Sequence, residues 1–180
     1  MRNKQKPKFT VRDPKRSDLR DLLSNYLQMQ KEIKTNPYIG IPLSGQRPTL
    51  KKERKWLNEL LKKIKKGKAV VTVAEVDGHV VGMCDITSES SPEAKHTGTL
   101  GILVKKEYRS MGIGTALMES SLKKARKKYS MIKLDVFGFN RGAKRLYKRL
   151  GFKVYGVLPE AFIRGKKLKI DKVMMYLKFD

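Results

Sequence analysis

Leu100-Gly101-Ile102-Leu103-Val104-Lys105-Lys106-Glu107-Tyr108-Arg109-Ser110-Met111-Gly112-Ile113-Gly114-Thr115-Ala116-Leu117-Met118 is the stretch whose reading decides the fold. Its first five residues are an apolar run that reads as a buried strand. Thr115 opens an amphipathic segment with apolar positions at Met118, Leu122 and Ala125. Strand, short loop, glycine turn and helix therefore follow in order. Gly112 and Gly114 permit a sharp turn and leave no side chain between the backbone amides and a ligand. Unpaired N–H groups and the positive end of the helix dipole converge there, which favours an anion such as a phosphate or pyrophosphate.

Single residues exclude two familiar phosphate loops. A dinucleotide fingerprint places its third glycine at 117, where Leu117 stands, and a P-loop needs Gly-Lys-Ser/Thr, whereas Thr115 follows Gly114 directly. The loop and its flanks instead resemble the acetyl-CoA signature of the GNAT superfamily of N-acetyltransferases, Arg/Gln-x-x-Gly-x-Gly/Ala after a strand ending in apolar residues. A second block similar to that family, Asn-x-x-Ala-x-x-Leu-Tyr-x-x-x-Gly-Phe, runs from Asn140 to Phe152. The resemblance implies acetyl-CoA as co-substrate. It assigns cofactor contacts to Ile102, Leu103 and Val104 on the strand and to Arg109, Ser110, Met111, Gly112, Ile113, Gly114 and Thr115 in the loop. Asn140 and Tyr147 complete that set. The tail, with Gly156, Leu158, Ala161, Gly165, Asp171, Met174 and Met175, is similar to members that acetylate ribosomal-protein N-termini or small amines.

Working outward, Phe9 to Arg12 alternates as a strand. Ser17 is an expected N-cap for a helix carrying Leu19, Leu22, Leu23, Tyr26 and Ile33, ended by Thr35-Asn36-Pro37. Asn36 to Pro48 is long for a connector, and such loops are often functional. Thr49 caps a second helix that stops at Gly67. Ala69–Glu75 and His79–Thr87 read as strands joined by Asp77-Gly78, a strong hairpin turn. A strand at Met131–Phe137 and a helix from Asn140 to Leu150 follow the central helix, and a final antiparallel pair spans 152–157 and 169–177. The order βααβββαβαββ is mixed α/β in one three-layer domain. By resemblance it is the GNAT fold, a central, mostly antiparallel sheet with a splayed strand pair, flanked by helices. Residues 1–8 are expected to form a loose basic arm and 9–180 a single N-acetyltransferase domain.

The 180 residues carry 42 Lys+Arg against 17 Asp+Glu, a net charge of +25. That field attracts anions: nucleic acid, a ribosome, acidic proteins or a phosphorylated cofactor. A lysine-rich proteome gives the same excess, so the charge alone names no partner. It disfavours a polycationic acceptor. The lone Cys84 lies in an apolar run and excludes an internal disulfide, which fits a reducing compartment. No run approaches the ~18 apolar residues of a membrane span, so a cytoplasmic, soluble protein without membrane contact is expected. His79, beside a turn, reads as surface, and no metal is expected.

The reaction the resemblance implies is direct attack of an amine on the thioester of acetyl-CoA. Gly101 inside an apolar strand marks either a bulge or room for a bulky neighbour. In the family this strand bulges, and amides near Leu103 face the thioester oxygen. Tyr147 lies on an apolar stripe with Ala143, Leu146 and Leu150, so packing alone accounts for it. By resemblance it is the general acid, and a phenol of pKa ~10 can protonate a thiolate. The glutamate that many members carry on the central strand is Gly98 here. Asp135 is the expected base, through water, with Asp85, Glu75 and His96 as rivals. A cofactor-binding sensor without catalysis, or a ribosome- or nucleic-acid-associated basic protein, are the other classes open to such a chain.

Overall fold

The computed structural model describes residues 7–40 and 48–179. Its elements are β1 (Thr10–Arg12), α1 (Leu19–Thr35), α2 (Leu50–Lys65), β2 (Ala69–Val76), β3 (His79–Ser88), β4 (Thr97–Val104), α3 (Ile113–Ala125), β5 (Met131–Phe137), α4 (Arg141–Arg149), β6 (Lys153–Arg164) and β7 (Leu168–Lys178). This is the order read from the sequence. The expected basic arm falls mostly outside the described residues, as does most of the loop after Gly40.

The local rules hold at most boundaries. Thr49 caps α2 by accepting the Lys52 N–H at 3.3 Å. Asp77 and Gly78 take φ of 49° and 79°, the left-handed pair a two-residue hairpin needs. Gly151 follows α4 at φ 91°. Ser17 is a correction. It lies in a 3-10 turn ahead of α1, and the adjacent Asp18 organises the entry. The Asp18 carboxylate accepts the Lys15 N–H at 2.8 Å and two bonds from Arg12 at 2.8 and 2.9 Å. That guanidinium holds the Asp18 carboxyl below its ordinary range despite burial.

The seven strands lie in the order β1-β2-β3-β4-β5-β7-β6, antiparallel except for β4 and β5. That parallel pair requires a crossover, which α3 supplies. On one face α3 and α4 cover the main core, where Ile113, Leu117, Met118 and Ala125 meet Ile86, Ile132, Leu134 and Met175. On the other face α1 and α2 pack over β2 and β3 through Leu22, Leu57, Leu60, Val71, Val73 and Val80. Beyond them that face is more open, and Asp135 on β5 is exposed. Cys84 belongs to the core, and burial pushes its thiol up to about 12.

The feature that creates a site is a failure of pairing. β4 and β5 are paired only at Thr97↔Met131, Gly98↔Ile132 and Thr99↔Lys133, and then part. β4 continues five residues to Val104 with its β5-side backbone groups unpaired by that neighbour, while β3 stays paired along its other edge. Peptide groups withheld from a ladder must find other partners.

Candidate active site

The expected bulge at Gly101 is absent, since β3 and β4 keep one register from Gly82↔Val104 to Ser88↔Gly98. The glycine serves a close approach instead: a Cβ there would stand 3.1 Å from Asp85 Oδ1. Gly98 is likewise enclosed, with a Cβ meeting Ile86 Cγ2 at 2.6 Å, so the glutamate that the family resemblance would put there has no room.

A cavity of about 530 Å³ opens where β4 leaves β5. Ile102, Leu103 and Val104 form one wall, Arg109, Ser110, Gly112, Gly114 and Thr115 the next, and Asn140, Ala143, Leu146 and Tyr147 the third. Gly112 has φ 90° and caps α3, whose first i→i−4 bond runs from the Ala116 N–H to the Gly112 carbonyl at 3.0 Å. The N–H groups ahead of it are therefore available to an anion. Ser110 also lies at positive φ, 62°, so the loop turns sharply twice. Two expected contacts do not line the cavity. Ile113 is fully buried as an anchor of α3, and Met111 is half-buried outside the wall.

Arg109 departs from a simple anion ligand. Its guanidinium donates to both Glu32 carboxylate oxygens at 2.7 Å, and its Nε donates to the Val104 carbonyl at 2.9 Å. The side chain thus ties α1 to the end of β4 and braces the loop. Asn140 is also committed: its Oδ1 accepts the Ala143 N–H at 3.1 Å as the cap of α4. Gly40 packs so closely that a Cβ there would lie 2.2 Å from Asn140 Nδ2.

Tyr147 is buried at 7% exposure yet lines the cavity, with its ring against Phe152 at 6.0 Å. Burial pushes its phenol up to about 12, so the proton is retained across the neutral range. Asp135 is not brought to the cavity. Its side chain is 55% exposed on the open face and paired with Lys172 Nζ at 3.1 Å. Of the rivals, Glu75 is bound by Arg12 at 2.7 Å, and the structure leaves Asp85 beside β4. His96 precedes β4 at the end where β5 is still paired, away from the split.

The long loop after α1, expected to be functional, contributes Tyr38, Ile39 and Gly40 to the cavity, whereas Arg145 and Arg149 on α4 were not foreseen. Arg149 donates to Thr115 Oγ1 at 3.3 Å, placing two cations one helical turn apart opposite the glycine loop. Their i,i+4 spacing was visible, but 42 Lys and Arg conceal any single pair.

A strand pair that splits beside a glycine-rich helix N-terminus and a buried phenol defines the class of acyl-CoA-dependent N-acyltransferases. The model of the acetyltransferase (GNAT) family matches residues 29–152, and the chain belongs to that family. It is 37% identical to an N-alpha-acetyltransferase of Sulfurisphaera tokodaii over 57% of this chain and 68% of that protein. To an uncharacterized N-acetyltransferase of Methanocaldococcus jannaschii it is 30% identical over 80% of this chain but only 60% of the relative. A GNAT superfamily phosphinothricin acetyltransferase from Sinorhizobium meliloti, solved in complex with AcCoA, shares the fold. Its TM-score is 0.79 at 18% identity, over 94% of this chain and 88% of that one. Family and fold together make acetyl-CoA the co-substrate and an amine the acceptor.

Proposed function

We propose that one domain over residues 9–180 acetylates the α-amino group of a peptide or protein, with acetyl-CoA lying in the split between β4 and β5. The observation that carries this reading is the split itself: a strand edge freed of its neighbour from Leu100 to Val104, leading directly to the glycine loop. The pantetheine arm would use that edge as a strand does, and the pyrophosphate would meet the amides at Gly112 to Thr115. Backbone N–H groups near Leu103 would face the developing oxyanion. The acceptor class is supported by the N-alpha-acetyltransferase relative and by the open face beyond β3, where Tyr155 and Leu158 stand exposed. An extended peptide fits such a surface better than a polycation does on a chain of +25.

In the step itself the amine nitrogen forms the C–N bond as the C–S bond breaks. Of the two protons the ammonium gives up, one leaves before attack, through water, to a carboxylate of the sheet beside the split, while Asp135 on the open face helps draw the ammonium in. The other balances the proton that Tyr147 delivers to the departing thiolate. Asn140 would orient the cofactor from its capping position. A cytoplasmic setting agrees with the free, buried Cys84. The reading is tested by thiol release with acetyl-CoA and peptides bearing a free or a pre-acetylated N-terminus, with product mass recorded. Only the free-amine peptides should release thiol and gain an acetyl group; equal release with blocked peptides would point to lysine or to simple hydrolysis.

A further inference from the structure

Asp85, Gly101 and Asp135 fall in one row across the sheet. Gly101 is the β4 partner of Asp85 on β3. Extending the β4–β5 register of Thr97↔Met131 and Thr99↔Lys133 brings Asp135 opposite Gly101 across the split. All three share the face opposite α3 and α4, because Leu100, Ile102, Leu134 and Val136 turn the other way into the core. The row therefore places two carboxylates on either side of a residue that has no side chain, at the point where the strands separate.

The two carboxylates differ in their partners. Asp135 is exposed and held by Lys172 at 3.1 Å. Asp85 accepts no hydrogen bond from another described side chain and forms no ion pair among the described residues. Of the charged groups facing it, Lys63 on α2 acts only at longer range, Asp135 lies across the split, and its neighbour Cys84 is a neutral thiol. α2 packs over the strands beside it and leaves Asp85 half-buried, and its carboxylate leans over Gly101 toward the split. A carboxylate in such surroundings whose hydrogen bond among the described residues comes from its own backbone N–H is costly to ionise, and such groups cluster where chemistry uses them. Leu103, whose amide would face the thioester, is two residues further along β4, or about 6.6 Å. A proton crossing that gap travels through bridging water.

Resting on the α-amino acetyltransferase reading, we infer that Asp85 is the proton acceptor of the reaction, taking the ammonium proton through one water in the notch that Gly101 leaves open. The balance is a single transfer: the N–H bond breaks, its electron pair stays on nitrogen as the nucleophile, and the proton passes by way of water to Asp85. Asp135, already paired, helps draw the ammonium to the notch. A Cβ at Gly101 would stand 3.1 Å from Asp85 Oδ1 and so crowd the carboxylate in the notch.

The pH dependence of kcat, measured at saturating acetyl-CoA and a free-amine peptide, tests this in wild type, Asp85→Asn, Asp135→Asn and Gly101→Ala. Burial raises the Asp85 carboxyl to about 6. The wild-type kcat should thus fall on the acid side with a midpoint near that value. Asp85→Asn should lose 10²-fold or more in kcat, lose that acid limb, and bind acetyl-CoA by calorimetry as wild type does. Asp135→Asn should raise the peptide KM and keep the limb. Gly101→Ala should lower kcat with cofactor affinity retained. An unchanged limb in Asp85→Asn, or its disappearance in Asp135→Asn instead, would overturn the inference. Wild type that binds acetyl-CoA but acetylates no free-amine peptide would overturn the acceptor reading and this inference with it.

Discussion

Replacing Tyr147 by phenylalanine removes one oxygen and keeps the ring that packs on Phe152, so it separates the two uses the sequence allowed. Tyr147→Phe should bind acetyl-CoA normally and turn over roughly 10²–10⁴-fold more slowly; unchanged turnover at saturating substrates would return the residue to packing alone. The two loop glycines separate in the same way. A Cβ at Gly114 would meet Leu146, Ile102 and Val104 only at 3.8–3.9 Å, so Gly114→Val should fold and lose cofactor binding. Gly112 sits at φ 90°, and Gly112→Val should in addition cost about 1–2 kcal/mol of stability by denaturant titration. Asp85 gives a test independent of catalysis. Its folded carboxyl, raised from 3.8 to about 6, favours the neutral form, so its contribution to stability is fully present below pH ~4 and lost as pH rises through ~6. Asp85→Asn should therefore be more stable than wild type at pH 7–8, by up to about 3 kcal/mol, with the difference vanishing near pH 4. A catalytic carboxylate kept at a cost to the fold is the familiar trade between stability and activity.

At the scale of elements, α1 reaches the cofactor loop through one ion pair. Glu32 is buried, whereas the Arg109 side chain is 34% exposed, so Glu32→Ala should cost roughly 1–3 kcal/mol, less than breaking a fully buried pair. It should also weaken acetyl-CoA binding in calorimetry, because Arg109 would no longer brace the end of β4. A second strut joins the far side of the site: Arg164 on β6 donates to the Ile39 carbonyl at 2.8 Å and lies 5.3 Å over the Phe137 ring. Element order and most boundaries were legible because they rest on local signals, such as the Asp77-Gly78 turn, the Thr49 cap and Gly151. What was not legible depends on distant residues. Arg109 was read as a cofactor contact, but its partner Glu32 lies 77 residues away and no periodicity marks it. Gly101 was recognised as unusual, yet whether it made a bulge or a notch depended on the strand beside it. Asp135 was placed ahead of Asp85 on strand propensity and position, because exposure and the Lys172 pair belong to the assembled sheet. The splay came from family resemblance, since the residues of β4 and β5 pair well by propensity.

For the molecule as a whole, +25 acts on the approach of an anionic co-substrate more than on the fold. Acetyl-CoA association should slow as salt rises from about 50 to 500 mM, and kcat at saturation should change little. Arg145 and Arg149, at the mouth of the cavity, place part of that charge where phosphates would arrive. Among the described residues no helix is long and apolar enough to cross a membrane. The central claim is that the split between β4 and β5, with its glycine loop, holds acetyl-CoA, and one calorimetric titration of acetyl-CoA into the wild-type protein tests it most directly. The account predicts saturable binding at one site per chain, with ligand at about 100 times its dissociation constant adding ~2.7 kcal/mol of stability. A titration without binding heat at any temperature tried, in a folded protein, would contradict it.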